Sequence, residues 1–143
     1  MNLGKSMRIL ITAGPTREYI DPVRYLSNES SGKMGFAIAR AAARADCDVT
    51  LITGPVSLPT PEGVRRVEVI SARDMLSEVR QAFEAADALF MSAAVSDWRP
   101  KRKLVGKWRK KDDGNDAACL ELVRNPDILA TVARKKGARL VVG

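Results

Sequence analysis

The residues best suited to chemistry lie in short polar stretches, most of which follow an apolar run. Gly14-Pro15-Thr16 is the first. Asn28 and the run Ser30-Ser31-Gly32-Lys33-Met34-Gly35 come next, then Ala93-Ala94 with Asp97, then Lys107 in a basic stretch, then Val123-Arg124-Asn125-Pro126. A glycine at the end of a strand lets a ligand approach the backbone closely. Free N–H groups at the start of a helix favour an anion, and Ser30 and Ser31 add hydroxyl donors. Together the two turns read as a cradle for the phosphates of a nucleotide, although a helix cap with a packing glycine accounts for the same local residues. Neither a Walker A loop nor GxGxxG is present. Asn28 is either a turn residue or a hydrogen-bonding group for a reacting carbonyl or carboxylate. Asp97 either ends a strand or meets Mg²⁺, a ribose or a base. Lys107 is either one charge in a solvated run or a cation that neutralises a reacting phosphate. Trp98 and Trp108 flank the basic stretch as apolar anchors or as base-stacking surfaces.

The chain contains no histidine. That excludes a Ser-His-Asp triad and removes the usual general base and the commonest metal ligand. Chemistry here depends on Lys, Arg, carboxylates, amides and backbone N–H groups.

The elements that must position these groups follow from periodicity. Residues 8–12 are a nearly continuous apolar run ending at Gly14-Pro15, as a buried parallel strand requires. Residues 16–32 read as one long polar loop, of the length usually kept for function. A helix is predicted over 33–45 with Met34, Ala37, Ile38, Ala41 and Ala42 on one face. Strands follow at 49–52 and 65–70, the second nearer an edge, separated by a proline-rich loop. Ser71 and Asp74 resemble a capping box opening a helix to about residue 85. A fourth strand and its mouth occupy 88–95. Residues 99–116 form an exposed basic flap. Residues 119–123 read as another strand, Asn125-Pro126 as the start of a helix running to about residue 136, and 139–143 as a fifth core strand. This alternation predicts an α/β Rossmann-like fold, an open, mostly parallel sheet with helices on both faces, within one domain over 1–143. Ligands then belong at the carboxyl ends of the strands.

The chain has 143 residues, 45% hydrophobic, enough for a real core. No apolar run approaches a membrane span, and residues 1–6 lack the apolar stretch of a signal peptide, so a cytoplasmic protein is expected. Cys47 and Cys119 form no CxxC pair and read as buried thiols. The net charge of +7 suggests an anionic partner.

Four segments, ITAGPTREYIDPVRYLSNESSGKMGFAIA (11–39), LITGPVSLPTP (51–61), SAAVSDWRP (92–100) and LVRNPDIL (122–129), occur in order and at family spacing. By them the chain resembles phosphopantothenoylcysteine synthetase, the synthetase half of the bacterial bifunctional flavoprotein of coenzyme A biosynthesis. The resemblance implies a ligase that joins 4'-phosphopantothenate to cysteine through an acyl-cytidylate. Its co-substrate would be CTP, with Mg²⁺, in a homodimer. It implies that Asn28 and Arg24 hold substrate and that the flap cation Lys107 closes on the nucleotide. Gly14, Thr16, Ser30, Ser31, Gly32, Ala93, Ala94, Asp97, Val123, Arg124, Asn125 and Pro126 are then nucleotide contacts. In the family the last strand runs on into a Gly-Phe-Ala-Ala-Glu-Thr segment and further lysines; here Gly143 is last. The resemblance therefore implies a nucleotide site short of one wall, and no flavin on this chain.

Competing readings are a catalytically incomplete nucleotide-binding or dimerisation fragment, a nicotinamide oxidoreductase and a nucleic-acid binder. No Tyr-x-x-x-Lys pair supports the oxidoreductase. A single basic flap without an aromatic repeat is poor evidence for the nucleic-acid binder.

Overall fold

A computed structural model describes residues 6–110, 114 and 116–143. Residues 1–5 lie outside this set, as do Lys111 and its neighbours in the predicted flap.

The centre is a five-stranded, all-parallel sheet in the order β5-β4-β1-β6-β9. Its strands are β1 (Arg8–Ala13), β4 (Asp48–Thr53), β5 (Val64–Glu68), β6 (Ala88–Met91) and β9 (Leu140–Val142). β1 is central and covered on both faces, which is why its sequence is almost continuously apolar. Successive residues point to opposite faces. Ile11 and Ala13 join Val49, Leu51, Phe36 and Ala39 beneath helix α1 (Lys33–Arg44). Leu10 joins Ile52 and Leu89 beneath α2 (Ala72–Phe83) and α3 (Ile128–Ala133). The fold is thus the expected Rossmann-like α/β sheet with helices on both faces, and β5 is the edge strand that its alternation predicts.

Several elements differ from the sequence reading. The 16–32 segment is not one loop: it folds into an antiparallel hairpin of β2 (Arg17–Tyr19) and β3 (Tyr25–Ser27). Tyr19 and Tyr25 pack ring against ring at 5.4 Å, with the Arg17 guanidinium over Tyr25. In α1 the buried positions are Gly35, Phe36 and Ala39, whereas the predicted Met34 is 70% exposed and Ala37 and Ala41 face solvent. Gly35 sets this rotation. A Cβ there would lie 2.4 Å from Ala13 Cβ and 3.0 Å from Thr12 O, so only glycine lets the helix sit against β1.

α2 starts as predicted. Ser71 and Asp74 form the reciprocal capping box, and the buried Glu18 carboxylate takes the Ala72 N–H at 2.8 Å. Burial pushes Glu18 up, with the Ala72 N–H, Asn125 and Arg99 pulling the other way.

The predicted strand at 119–123 shrinks to β8 (Leu122–Arg124), which pairs with β7 (Trp98–Pro100) in a separate antiparallel ladder. Because Arg124 is still in that ladder, Asn125-Pro126 does not open the helix. Asp127 is the N-cap, accepting from Ala130 N–H, and α3 stops at Ala133 instead of running to 136. Tight turns follow to Gly137, at φ 56°. The thiols are not both buried either: Cys47 is half-buried and Cys119 exposed, because the 116–121 stretch lies outside the sheet.

Candidate functional site at the switch in strand order

The chain moves outward from β1 to β4 and β5, then returns to β6 and β9 on the other side. Such a reversal opens a crevice beyond the carboxyl ends of the two strands that diverge, here β1 and β6. Past the sheet these strands stay tied. Ala94 N–H donates to Gly14 O at 2.8 Å, and Thr16 N–H to Ala94 O at 3.3 Å. Gly14, at φ 72°, and Gly32, at φ 73°, occupy the left-handed region that favours glycine. They also touch: a Cβ on Gly32 would lie 3.4 Å from Gly14 N and Cα and 3.2 Å from Val56 Cγ1. The two turns picked out from the sequence therefore form one joint, with the 54–61 loop closing it from behind.

Gly14, Thr16 and Gly32 are buried. The Thr16 hydroxyl accepts from Ser96 N–H at 2.9 Å, and its carbonyl accepts from the Ser27 hydroxyl at 2.8 Å. Thr16 thus fastens the first turn to both the hairpin and the β6 mouth. Ser30 and Ser31 each accept a long 3.4 Å bond from the N–H two residues on. α1 begins at Gly32 with no side-chain cap and no acidic residue in its first turn. Beyond the long Lys33 N–H bond to Ser31, its first turn and its dipole favour an anion.

Asn28 stands at the crevice. Its Nδ2 donates to Ala94 O and Val95 O, both at 3.3 Å, which fixes the amide plane. Oδ1 has no partner among the described residues and accepts from any N–H or O–H donor placed before it. Along the β6 mouth, the exposed Asp97 accepts at its carbonyl from Asn125 N–H at 2.7 Å, and Asn125 Nδ2 donates to Ser96 O at 2.8 Å. Arg99 donates to Arg124 O and to Asn125 Oδ1. The fold thus brings Ala93–Asp97 beside 123–126, as the sequence reading requires.

Lys107 is exposed, and its neighbour Trp108 is bonded to Asp21 and Arg24 of the hairpin turn. The buried Asp21 carboxylate accepts from Val23 and Arg24 N–H through Oδ1, and from Trp108 N–H and the Arg24 guanidinium through Oδ2. Burial pushes this carboxyl up, but the N–H groups of Trp108, Val23 and Arg24 and the Arg24 guanidinium outweigh it. They hold the pKa at about 2, against an ordinary 3.8. A carboxyl depressed by folding stabilises the fold above its unfolded value and loses that contribution as pH falls through the folded one. The stability difference between wild type and Asp21→Asn is therefore expected to shrink between about pH 5 and pH 2. Thermal unfolding of both proteins across that range checks it; a constant difference contradicts it.

A cavity of about 800 Å³ lies away from the glycine joint. It opens between α2 and α3, with Arg73, Arg80, Arg99, Arg124 and Lys135 around it and Pro126 on its rim. Arg124 and Pro126 thus face this basic groove as well as the β6 mouth. A second hollow of about 520 Å³ lies along Arg17, Tyr19, Gly54 and Val56, beside the joint.

Sequence reasoning missed Ser96, Ser27 and Val56, which hold the turns in place. Ser96 sits inside a quoted segment, but its partner Thr16 is 80 residues away. Among the described residues no group of three His, Cys, Asp or Glu side chains is placed to hold a metal, and no helix is long and apolar enough to cross a membrane.

Fold and site together define a Rossmann-like α/β domain whose polar groups gather at the switch in strand order. The profile of the family described as DNA/pantothenate metabolism flavoprotein, C-terminal domain, matches residues 4–143, and the chain belongs to that family. It is 53% identical over 126 residues to the coenzyme A biosynthesis bifunctional protein CoaBC of Vibrio cholerae serotype O1, covering 88% of this chain and 31% of that protein. It is 50% identical over 140 residues to CoaBC of Escherichia coli strain K12, covering 97% of this chain and 34% of that one. The chain thus spans about a third of the length of these relatives. The crystal structure of the C-terminal domain of a CoaBC protein superposes with a TM-score of 0.81 at 44% identity, covering 96% of this chain and 63% of that one.

Proposed function

We propose that this domain ligates 4'-phosphopantothenate to cysteine, using CTP to activate the carboxylate. The observation that carries the reading is Asn28, held by two carbonyls at the β1–β6 crevice with its Oδ1 free to receive a substrate donor. The chemistry proposed is the one implied by the resemblance of the sequence segments. The carboxylate oxygen forms a bond to the α-phosphorus and pyrophosphate leaves. The cysteine nitrogen then attacks the acyl carbon, the C–O bond to CMP breaks, and the amine proton passes to water or to a substrate phosphate.

Both steps concentrate negative charge on phosphate or acyl oxygens. The uncapped α1 terminus and the cations Lys107 and Arg24 are the groups available to stabilise it. Holding the carboxylate against the α-phosphate supplies much of the remaining barrier reduction. Asn28 presents only an acceptor, so it orients the substrate through an N–H or O–H and not through the carboxylate itself. Among the described residues there is no preformed carboxylate cage. These residues fit a Mg²⁺ that arrives on the triphosphate, where it supplies charge neutralisation, with Asp97 as the available protein carboxylate.

CTP with Mg²⁺ is expected to raise the melting temperature by several degrees at a concentration about a hundredfold above Kd, and ATP by less. Equal shifts with both, or none with CTP, contradict the nucleotide assignment. The second reading is nucleotide binding without turnover by the residues present here. A CTP-dependent shift without pyrophosphate release from this chain distinguishes it.

A further inference from the structure

We infer that Asp21 is a positioning residue: through Arg24 and the backbone of Trp108 it holds the basic stretch on the β2–β3 hairpin and so sets where Lys107 stands. This rests on the reading of Lys107 as the cation that closes on the nucleotide.

The two carboxylate oxygens divide the work. Oδ1 accepts from Val23 N–H at 2.8 Å and Arg24 N–H at 2.7 Å, which builds the hairpin turn. Oδ2 accepts from Trp108 N–H at 2.9 Å and from Arg24 Nη1 at 2.7 Å. The same Nη1 donates to Trp108 O at 2.7 Å. Both backbone groups of Trp108 are therefore gripped by one ion pair, buried at its Asp21 end. Side-chain exposure is nil for Asp21 and 46% for Arg24.

The chain before Trp108 has little else to hold it. Leu104 N–H donates to Ile20 O at 2.8 Å and Lys103 stands over the Tyr19 ring. Beyond them Val105 is 99% exposed, and a Cβ at Gly106 would meet nothing within 4 Å. Lys107 is the residue between this bare stretch and the grip. Its backbone position is set by the bond one residue later. A charge-assisted bond of this kind is stronger than a neutral one, and burial keeps water from competing for it.

The division between the oxygens makes the test selective. Asp21→Asn with its carbonyl in the Oδ1 place keeps the turn, but presents an NH₂ to Trp108 N–H and Arg24. Trp108→Pro removes the N–H without touching the hairpin, and Trp108→Phe retains it. Limited trypsin digestion without nucleotide reads the grip directly. Cleavage after Arg109 and Lys110 is expected to be about tenfold faster in Asp21→Asn and Trp108→Pro, and unchanged in Trp108→Phe. In nucleotide titrations the first two are expected to raise the KM for CTP about tenfold and to lower kcat with it, because Lys107 also meets charge that develops in the reaction. On a Lys107→Gln background Asp21→Asn should add nothing to KM, since the two then act as one unit.

Wild-type cleavage rates in both disruptive variants overturn the proposal. So does a freed stretch with unchanged KM, or an additive effect with Lys107→Gln. Faster cleavage in the variants, with no CTP binding by any protein including wild type, supports the Asp21 grip and overturns the reading of Lys107.

Discussion

Asn28→Asp is expected to lower ligase turnover by about 100- to 1000-fold. The substitution is nearly isosteric, so the loss is electronic. Asn28 Nδ2 donates to Ala94 O and Val95 O; a carboxylate there faces two carbonyl oxygens with nothing to donate. The side chain would turn or shift, and the β6 mouth would lose its tie to the hairpin. The new charge would also stand where a carboxylate and an α-phosphate must approach each other, and it would repel both. Misplacing a substrate by about 1 Å can by itself cost about 100-fold, and the repulsion adds to it. The measurement is pyrophosphate release with CTP, 4'-phosphopantothenate and cysteine, in a protein carrying the whole family domain. Turnover within threefold of wild type would remove Asn28 from the site.

The largest effect on stability is expected at Gly54. A Cβ there would lie 1.6 Å from Pro15 O and 2.7 Å from Pro15 C. These are backbone atoms, so no side chain can swing away; the first turn itself must move. Gly54 N–H also donates to Ala13 O at 3.0 Å, which pins the glycine from the other side. Gly54→Ala is expected to cost about 3 kcal/mol or more and to lower the melting temperature on the order of 10 °C. Because Pro15 follows Gly14, the shift would reach the Gly14–Gly32 contact and weaken nucleotide binding in the surviving folded protein. Gly106→Ala is the control. Nothing lies within 4 Å of its Cβ, and its melting temperature should stay within about 2 °C of wild type.

The central strands, the capped start of α2 and the two glycine turns were legible because each is written in adjacent residues. The apolar run of β1 and the Ser71–Asp74 spacing are local signals. The rotation of α1 was not legible. Its alanines permit several buried faces, and the choice falls to Gly35, whose constraint comes from Thr12 and Ala13 across a packed interface. The start of α3 was misplaced for a similar reason. Asn125-Pro126 is a good local helix opening, but Arg124 is engaged with Trp98 in a ladder whose other strand is 26 residues away, and the Asn125 side chain is taken by Ser96 O.

For the site, residue types and their order along the chain were determined by the sequence itself. It put an asparagine, serines and glycines after the strands and cations in the stretch beyond β7, and the absence of histidine excluded a triad. What only the tertiary structure decided is which of these face a ligand and which hold the others. Thr16 reads as a ligand contact, yet it is buried and joins three segments. Asp21 lies in a segment that reads as one polar loop, yet it grips a segment 87 residues on. The physical reason is that burial and hydrogen-bond saturation depend on partners distant in sequence. Local spacing fixes only a residue's chemistry and its place on an element.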